Sequence, residues 1–323
     1  MDITSIKKIH EKASEESRVK WANLIKKEAD NSFINYPNVL CIFQTHNKSH
    51  LIKDVLAPFH DNKLQNIILF ADGCSDDTVQ QAQPMLEGKK HSIIVLNDLH
   101  EIHNYRFAIS SAWGLTSEFA LLMQDDDLYP NDFGWLDYGL EMMKKDPKLC
   151  VIGYRDGINF QKISTASDSF ETDLFYVQGN KMGLPGSSEV SMVSSFKPLS
   201  GFNFQYCQTV NRAPHLIRVG SFLKYTDFDE LFEPFQDDDT NYCLQLWSQG
   251  MRVGLVSGAN IARDIGIGGM RLGGHLTPSK RPAHTKRNHN LLFERFSTFI
   301  NSGELSQKVS LANKETVRKY LYL

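Results

Sequence analysis

Short apolar runs alternate with helix-like segments from residue 38 onward. The apolar runs are VLCIFQT at 39–45, NIILFAD at 66–72, SIIVLND at 92–98 and FALLMQD at 119–125. Between them lie segments that favour helices, near 49–59, 75–87 and 103–116. Strands that alternate with helices in this way predict βαβ units. We therefore expect an α/β fold with a mostly parallel, Rossmann-like central sheet flanked by helices.

Helical appendages are expected at both ends of this core. Residues 3–31 carry apolar side chains at roughly helical spacing, and Leu291, Leu292, Phe293, Phe296, Phe299 and Ile300 form a helical stripe that we assign to the core. The predicted division is an N-terminal helical appendage at 1–35, a central domain at 36–285 and a C-terminal helical segment at 286–323. Within the central domain, residues 156–205 are rich in Ser, Gly and Phe, which predicts long loops.

The predicted strands deliver polar residues to one place. In a parallel sheet all C-terminal strand ends lie along one edge, where open α/β folds bind their ligands. Thr45 and Asp72 end the first two apolar runs, Asn47 follows the first, and the acids at 125–127 begin at the end of a later one. These residues are far apart in sequence, and we expect them to converge at that edge.

Asp125, Asp126 and Asp127 form the first of two acidic runs. Alternate residues beyond a strand can point the same way, so Asp125 and Asp127 can address one ligand while Asp126 turns aside. Hard oxygen donors suit Mg²⁺ or Mn²⁺, which typically keep positions open for water and substrate phosphates. On spacing alone, a metal site and a solvated acidic turn are equal alternatives.

The second acidic run, Asp237, Asp238 and Asp239, precedes a predicted helix. Negative charge is favoured at a helix N-terminus, yet one Asp suffices for capping, which leaves at least one for another task such as general base or metal ligand. Further along, the glycine-rich, basic stretch at 262–290 includes His275 and His284. It is either a phosphate-binding segment or a solvated basic loop.

Composition narrows the classes of function. The 323 residues are 41% hydrophobic with a net charge of -3, so no basic excess favours nucleic acid, and we expect no nucleic-acid partner. The five cysteines show no CxxC spacing, which argues against a disulfide framework or structural zinc site. No apolar run approaches the roughly 20 residues of a spanning helix. We expect a cytoplasmic protein, with peripheral association at the inner face of a membrane as the alternative.

Four segments, in order, resemble the motifs of nucleotide-diphospho-sugar glycosyltransferases with the GT-A fold, of the inverting family-2 type. VLCIFQTHNK resembles the opening strand and "tyNR" turn, and NIILFADGCSDDT resembles the "DDGStD" segment. ALLMQDDDLYPNDF is similar to the DxD segment, and FDELFEPFQDDDTNYCLQLWSQGMRVG to the "EDtDl..Rl...G" segment. Together the four matches span roughly residues 38–257, which is more specific than a DxD motif alone.

The resemblance implies roles for individual residues. Thr45, Asn47, Asp72, Arg106, Asp125 and Asp126 would bind the nucleotide sugar, Asp125 and Asp127 would hold the metal, and Asp239, beside Asp238, would be the general base. By the same resemblance, 36–130 would be the nucleotide-binding half of the catalytic domain and 131–285 the acceptor-binding half. The chain departs from the family at Ala71, Asn241 and Gln245. Where the family often has a metal-binding His, Asp264 is the nearest match, so His284 or His275 would take that role.

The implied activity is glycan biosynthesis by a metal-dependent inverting glycosyltransferase of the hexosyltransferase type. It would use Mn²⁺ or Mg²⁺ and a nucleoside diphosphate sugar, with UDP as the default, and a glycan or other hydroxyl acceptor. One alternative is a sugar-nucleotide nucleotidyltransferase, although QTHNKSH is not that class's glycine-rich phosphate loop. The other is a catalytically silent sugar-nucleotide-binding module. Phe202, Phe204 and Tyr206 are assigned either to the acceptor site or to the core.

Overall fold

The structure, a computed structural model, describes residues 38–60, 64–155, 157–160, 176–179, 203–212, 214–233, 237–259, 261 and 281–321. Its strands are β1 (Val39–Thr45), β2 (Asn66–Asp72), β3 (Lys90–Leu96), β4 (Phe119–Met123), β5 (Leu149–Gly153), β6 (Gly157–Phe160), β7 (Tyr176–Gly179), β8 (Asn203–Tyr206), β9 (Thr209–Val210), β10 (His215–Arg218) and β11 (Arg252–Ser257). They form an eight-stranded sheet in the order β3-β2-β1-β4-β10-β5-β11-β8 and a small sheet in the order β7-β6-β9.

The large sheet is mostly parallel. Strands β3, β2, β1, β4, β5 and β11 run in one direction, whereas β10 and β8 run in the other. In β10, His215 lies opposite Leu122 of β4. Because this pairing is antiparallel, the residues that precede His215 emerge at the edge where the residues after Met123 also emerge.

Helices flank the sheet. They are α1 (Ile52–His60), α2 (Thr78–Ala82), α3 (Glu101–Ser110), α4 (Ala112–Thr116), α5 (Gly134–Lys145), α6 (Val219–Tyr225), α7 (Asp238–Ser248), α8 (Arg281–Asn301) and α9 (Glu304–Leu321), with 3₁₀ turns at Gln83–Leu86 and Glu230–Phe232. The predicted α/β architecture, a mostly parallel Rossmann-like sheet with helices packed on it, is therefore confirmed.

Burial explains why the strands are continuous apolar runs. Every residue of β1 is buried, as is every residue of β4 and β5, which is the pattern of parallel strands covered on both faces. An aromatic group packs beside β1, where the ring of Phe59 meets Phe43 at 5.0 Å and Phe133 at 5.1 Å in edge-on geometry. These contacts pack α1 against β1 and the residue before α5 against α1.

Two predicted features lie partly outside the described residues. Residues 1–37 are not described, so the N-terminal appendage stays a prediction, and α8 begins at Arg281, before the predicted boundary at 286. Phe204 and Tyr206 are buried and their rings meet at 4.9 Å, which confirms the core alternative for both, while Phe202 is not described.

Over the described residues, none of the helices combines the length and the apolar character that crossing a bilayer requires.

Candidate active site

The turn after β1 is tied to the ends of β2 and β4. The main-chain N–H of His46 donates to Asp125 Oδ2 at 2.8 Å, and His46 Nδ1 lies 2.7 Å from the carbonyl oxygen of Asp72. The side chain of Asn47 accepts from the N–H of Ser75 at 2.7 Å. The structure thus brings the turn that contains Asn47 and the first acidic run to one edge of the sheet.

Asp72 is fully buried and supports the turn before α3. Its carboxylate accepts from the N–H of Leu99 at 2.8 Å, from the N–H of His100 at 2.7 Å and from Asn104 Nδ2 at 3.1 Å. A buried carboxylate with this many donors orders the backbone around it. Asp72 therefore supports the backbone inside the protein. A contact of its carboxylate with the base or ribose stays a prediction.

The first acidic run is buried. Asp125, Asp126 and Asp127 are 7%, 6% and 1% exposed, so the solvated-turn alternative is wrong. Burial raises the pKa of Asp125 to about 7, against the opposing charge of Lys48 and the hydrogen bond from His46 N–H. Tyr129 Oη donates to Asp127 Oδ2 at 3.4 Å. Buried carboxylates are costly unless a proton or a cation compensates their charge.

These carboxylates suit a divalent cation only as a partial ligand set. Among the described residues, no three His, Cys, Asp or Glu side chains are arranged to hold a metal ion. Mg²⁺ is commonly bound by one or two carboxylates, with water and substrate phosphates as its other ligands, and Asp125 and Asp127 fit that pattern. His284 lies partly buried near the start of α8, whereas His275 and Asp264 are not described. The role of His284 as a ligand stays a prediction.

The second acidic run places its three carboxylates in different surroundings. Asp237 has a positive φ of 68° and lies 3.1 Å from His289 Nε2. Asp238 is 2% exposed and forms an ion pair with Arg212. Asp239 keeps partial exposure, and its carboxylate accepts from the N–H of Arg212 at 3.0 Å and from the N–H of Thr240 at 2.7 Å. Of the three, Asp239 is thus held in place and is the one that is partly exposed.

Tyr105 of α3 connects the two acidic runs. Its hydroxyl donates to the carbonyl oxygen of Met123 at 3.1 Å, and the guanidinium of Arg212 lies 5.3 Å from its ring centroid. Burial raises the pKa of Tyr105, and the negative charges of Glu101, Asp238 and Asp125 raise it further. The two runs lie more than a hundred residues apart in sequence, yet charges from both act on this one side chain.

Strained backbone is concentrated at the same edge. In the described part of the chain, the non-glycine residues with positive φ are Asn47, Asp98, His100 and Asp237. Asn47 follows β1, Asp98 and His100 lie between β3 and α3, and Asp237 precedes α7. All four lie on the side where the parallel strands end. Such conformations cost on the order of 1–3 kcal/mol each and cluster at functional sites.

Arg106 lies on the exposed side of α3. Its side chain is 41% exposed and forms ion pairs with Glu230 and, at 3.4 Å, with Asp227. These contacts attach α3 to the segment that leads into the second acidic run. The predicted contact between Arg106 and a nucleotide stays a prediction.

Residues that no sequence motif indicated support the second acidic run. Asn288 Nδ2 of α8 donates to the carbonyl oxygen of Phe232 at 2.9 Å, and Arg295 Nη1 lies 2.5 Å from Asp229 Oδ2 and 2.9 Å from Asn241 Oδ1. Of the predicted apolar stripe of α8, Leu292, Phe296 and Ile300 are buried in the core, and Leu291 and Phe299 pack against it. The polar residues between stripe positions gave no separate signal, because a charged helix face is usually solvated.

Comparisons with known proteins add little to this geometry. No protein-family model matches the chain, and no curated protein matches its sequence. Among solved structures, a crystal structure of S. aureus TarS 1-349 is similar, with a TM-score of 0.41 and 11% identity. The match covers 69% of this chain and 58% of that one. A likeness at that TM-score carries no argument about function, so the site rests on its own residues.

Proposed function

We propose that this protein is a metal-dependent inverting glycosyltransferase that moves a sugar from a nucleoside diphosphate donor to an acceptor hydroxyl. The observation that carries the proposal is the meeting of two acidic runs at the C-terminal edge of a mostly parallel sheet. Tyr105 donates to the carbonyl oxygen of Met123, two residues before the run at 125–127, and its ring contacts the guanidinium of Arg212, whose main-chain N–H donates to Asp239. The four motifs that resemble family-2 glycosyltransferases support the same assignment.

Asp239 is the proposed general base. Its oxygens are fixed by two main-chain N–H groups, and the residue is partly exposed. As the acceptor oxygen attacks the anomeric carbon, Asp239 takes the hydroxyl proton, the bond to the diphosphate breaks, and its electron pair leaves with the nucleoside diphosphate. Burial raises the pKa of Asp239 above its usual range, which makes it a stronger proton acceptor. Attack opposite the leaving group inverts the configuration at that carbon.

Asp238 has a supporting role in this proposal. Its ion pair with Arg212 and its burial leave its carboxylate engaged inside the protein. Asp127 and Asp125 would hold Mn²⁺ or Mg²⁺, which neutralises charge on a diphosphate when bound. Thr45 and Asn47, at the end of β1, would line the nucleotide pocket, with UDP as the expected nucleotide on grounds of family resemblance.

Calorimetry with a panel of sugar nucleotides tests the proposal. We expect binding that requires Mn²⁺ or Mg²⁺, followed by slow release of nucleoside diphosphate, faster with an acceptor. Asp239→Asn should still bind the donor while turnover falls on the order of 10²- to 10⁴-fold, the usual cost of losing a general base. The matched control is Glu87→Gln, an exposed carboxylate that precedes β3 at the opposite edge.

The alternatives predict different outcomes. Near-normal turnover of Asp239→Asn would remove the base assignment. Binding without release of nucleoside diphosphate, with every acceptor tried, would favour a silent binding module. Formation of pyrophosphate from a nucleoside triphosphate and a sugar phosphate would instead identify a nucleotidyltransferase. Retention of anomeric configuration, measured by proton NMR of the product, would exclude the single displacement.

A further inference from the structure

Arg212 is the centre of a buried charge network. Its side chain is 8% exposed and pairs with Asp238 of α7 and, at 2.6 Å, with Glu101 of α3. Its main-chain N–H donates to Asp239 Oδ2 at 3.0 Å, and its guanidinium lies over the ring of Tyr105. One residue in the segment before β10 thereby joins two helices and fixes the orientation of the proposed base.

The charges in this network do not balance by themselves. Glu101, Asp238 and Asp239 face a single guanidinium, and burial raises the pKa of both aspartates while the charge of Arg212 opposes that rise. The Nε atom of Arg212 is buried and has no hydrogen-bond partner among the residues that the structure describes. A buried ion pair is a weak source of stability, because desolvation offsets most of the attraction. The effect of this ion pair on its neighbours therefore matters more than its contribution to stability.

We propose that Arg212 is a positioning residue for the reaction, whose guanidinium keeps Asp239 ionised through the shared charge with Asp238 and whose main-chain N–H aims the Asp239 carboxylate. This inference rests on the proposed function, since it assigns Arg212 a role in the proton transfer to Asp239. Arg212 does not contact the reacting atoms; it acts through Asp239.

Other charged and titratable groups also face Asp239. From α7 and the residue before it come Asp237, Asp238, Tyr242 and Cys243. Glu101 and Tyr105 of α3 act on the guanidinium of Arg212 instead. His289 of α8 contacts Asp237. Among these groups Arg212 carries the permanent positive charge, and it opposes the effect of burial on Asp239 more than any other group does. Removing that charge should therefore raise the pKa of Asp239 substantially.

The first measurement is the titration of Asp239 itself, which needs no activity. Carbon-13 NMR of protein labelled at aspartate carboxyl carbons follows the titration, and Asp239→Asn assigns the signal. In Arg212→Met the midpoint should rise by about one to three pH units, the usual effect of losing an adjacent opposite charge. Glu101→Gln should lower the midpoint, because the guanidinium is then shared by fewer carboxylates. This second variant keeps the test decisive if Arg212→Met does not fold.

The second measurement is the pH profile of donor turnover. In Arg212→Met the acid limb of kcat/KM should move to higher pH along with the NMR midpoint, and Arg212→Lys should restore most of that shift by returning the charge. A purely structural role would lower kcat without moving the limb. The matched control is Arg252→Met, which removes an arginine that pairs with Asp146 at 3.2 Å and Glu315 at 2.5 Å at the opposite edge of the sheet.

The outcomes separate the two proposals. An Asp239 midpoint that is the same in wild type, Arg212→Met and Glu101→Gln overturns the role of Arg212. Midpoints that shift as expected in a protein that releases no nucleoside diphosphate from any donor support the electrostatic role but reject the glycosyltransferase. A shift of equal size in Arg252→Met would show a general change in stability and would also overturn the inference.

Discussion

His215 provides a test of how burial controls ionisation in this fold. It is fully buried in β10, and its Nδ1 lies 2.5 Å from Tyr242 Oη. Burial, together with the nearby positive charge of Arg212, lowers the pKa of His215 from 6.5 to about 3. Because the folded pKa lies below the unfolded pKa, the unfolded state binds the extra proton. Stability should therefore fall as pH drops from about 6.5 towards about 3.

The size of this effect follows from proton linkage. At pH 5 the imidazole of the unfolded chain is almost fully protonated, while that of the folded chain is neutral. Each pH unit between 6.5 and 5 costs about 1.4 kcal/mol, so His215 alone should destabilise the fold by about 2 kcal/mol between pH 7 and pH 5. Buried carboxylates with a raised pKa, such as Asp125, act in the opposite direction, since their folded form takes up the proton.

A comparison of variants isolates the contribution of His215. Urea unfolding at pH 7 and pH 5 gives the free energy of unfolding of wild type and of His215→Gln, which cannot titrate. Between pH 7 and pH 5, the free energy of unfolding should fall by about 2 kcal/mol more in wild type than in His215→Gln. His60→Gln, at a surface histidine that ends α1, is the control. If the change between pH 7 and pH 5 were the same in wild type and His215→Gln, the link between burial and ionisation would be refuted.

Two further changes test packing and the support of the site. In Gly139→Ala the new Cβ would lie 1.9 Å from Tyr154 Oη, so we expect the free energy of unfolding in urea to fall by about 1–3 kcal/mol. The double variant Gly139→Ala/Tyr154→Phe lacks that hydroxyl and should recover part of the loss. The recovery should be partial because Tyr154 Cζ would still lie 3.0 Å from the new Cβ. In Asp72→Asn the donors from Leu99, His100 and Asn104 lose a charged acceptor, so the free energy of unfolding should fall on the order of 2 kcal/mol. The control is Asp54→Asn on the exposed face of α1, which should change the free energy of unfolding little. Weaker donor binding by Asp72→Asn without loss of stability would favour the predicted nucleotide contact over internal support.

The strands of the parallel half could be predicted because burial leaves a clear pattern. The predicted runs at 39–45 and 66–72 coincide with β1 and β2, whose side chains are almost entirely buried. The predicted run at 92–98 begins and ends two residues after β3, because Asn97 and Asp98 belong to the turn, where Asp98 has a φ of 64°. Hydropathy therefore locates the buried part of a strand well. It does not locate the strand's end, because the turn begins where the backbone conformation changes and a polar residue can lie on either side of that point.

The antiparallel insertion of β10 could not be predicted. Its four residues, HLIR, carry no information about direction, and their partners β4 and β5 are far away in sequence. This insertion brings Arg212 to the edge where the parallel strands end. The partners of Arg212 are equally remote, since Asp238 is 26 residues away and Glu101 is 111 residues away. The acidic runs were visible as local concentrations of charge, whereas the arginine that serves one of them was not.

The balance of charge at this edge bears on metal dependence. Among the described side chains, Asp125, Asp126, Asp127, Glu101, Asp238 and Asp239 lie near Tyr105 or one another, while Lys48 and Arg212 are the cations that act on them. A diphosphate that approached this group would be repelled, because opposite charge is what holds phosphate in proteins. A divalent cation that accompanies the donor would reverse that repulsion and would also offset the cost of burying Asp125 and Asp127. Dependence of donor binding on Mn²⁺ or Mg²⁺ is therefore expected from the charges of the site as well as from the resemblance of its motifs.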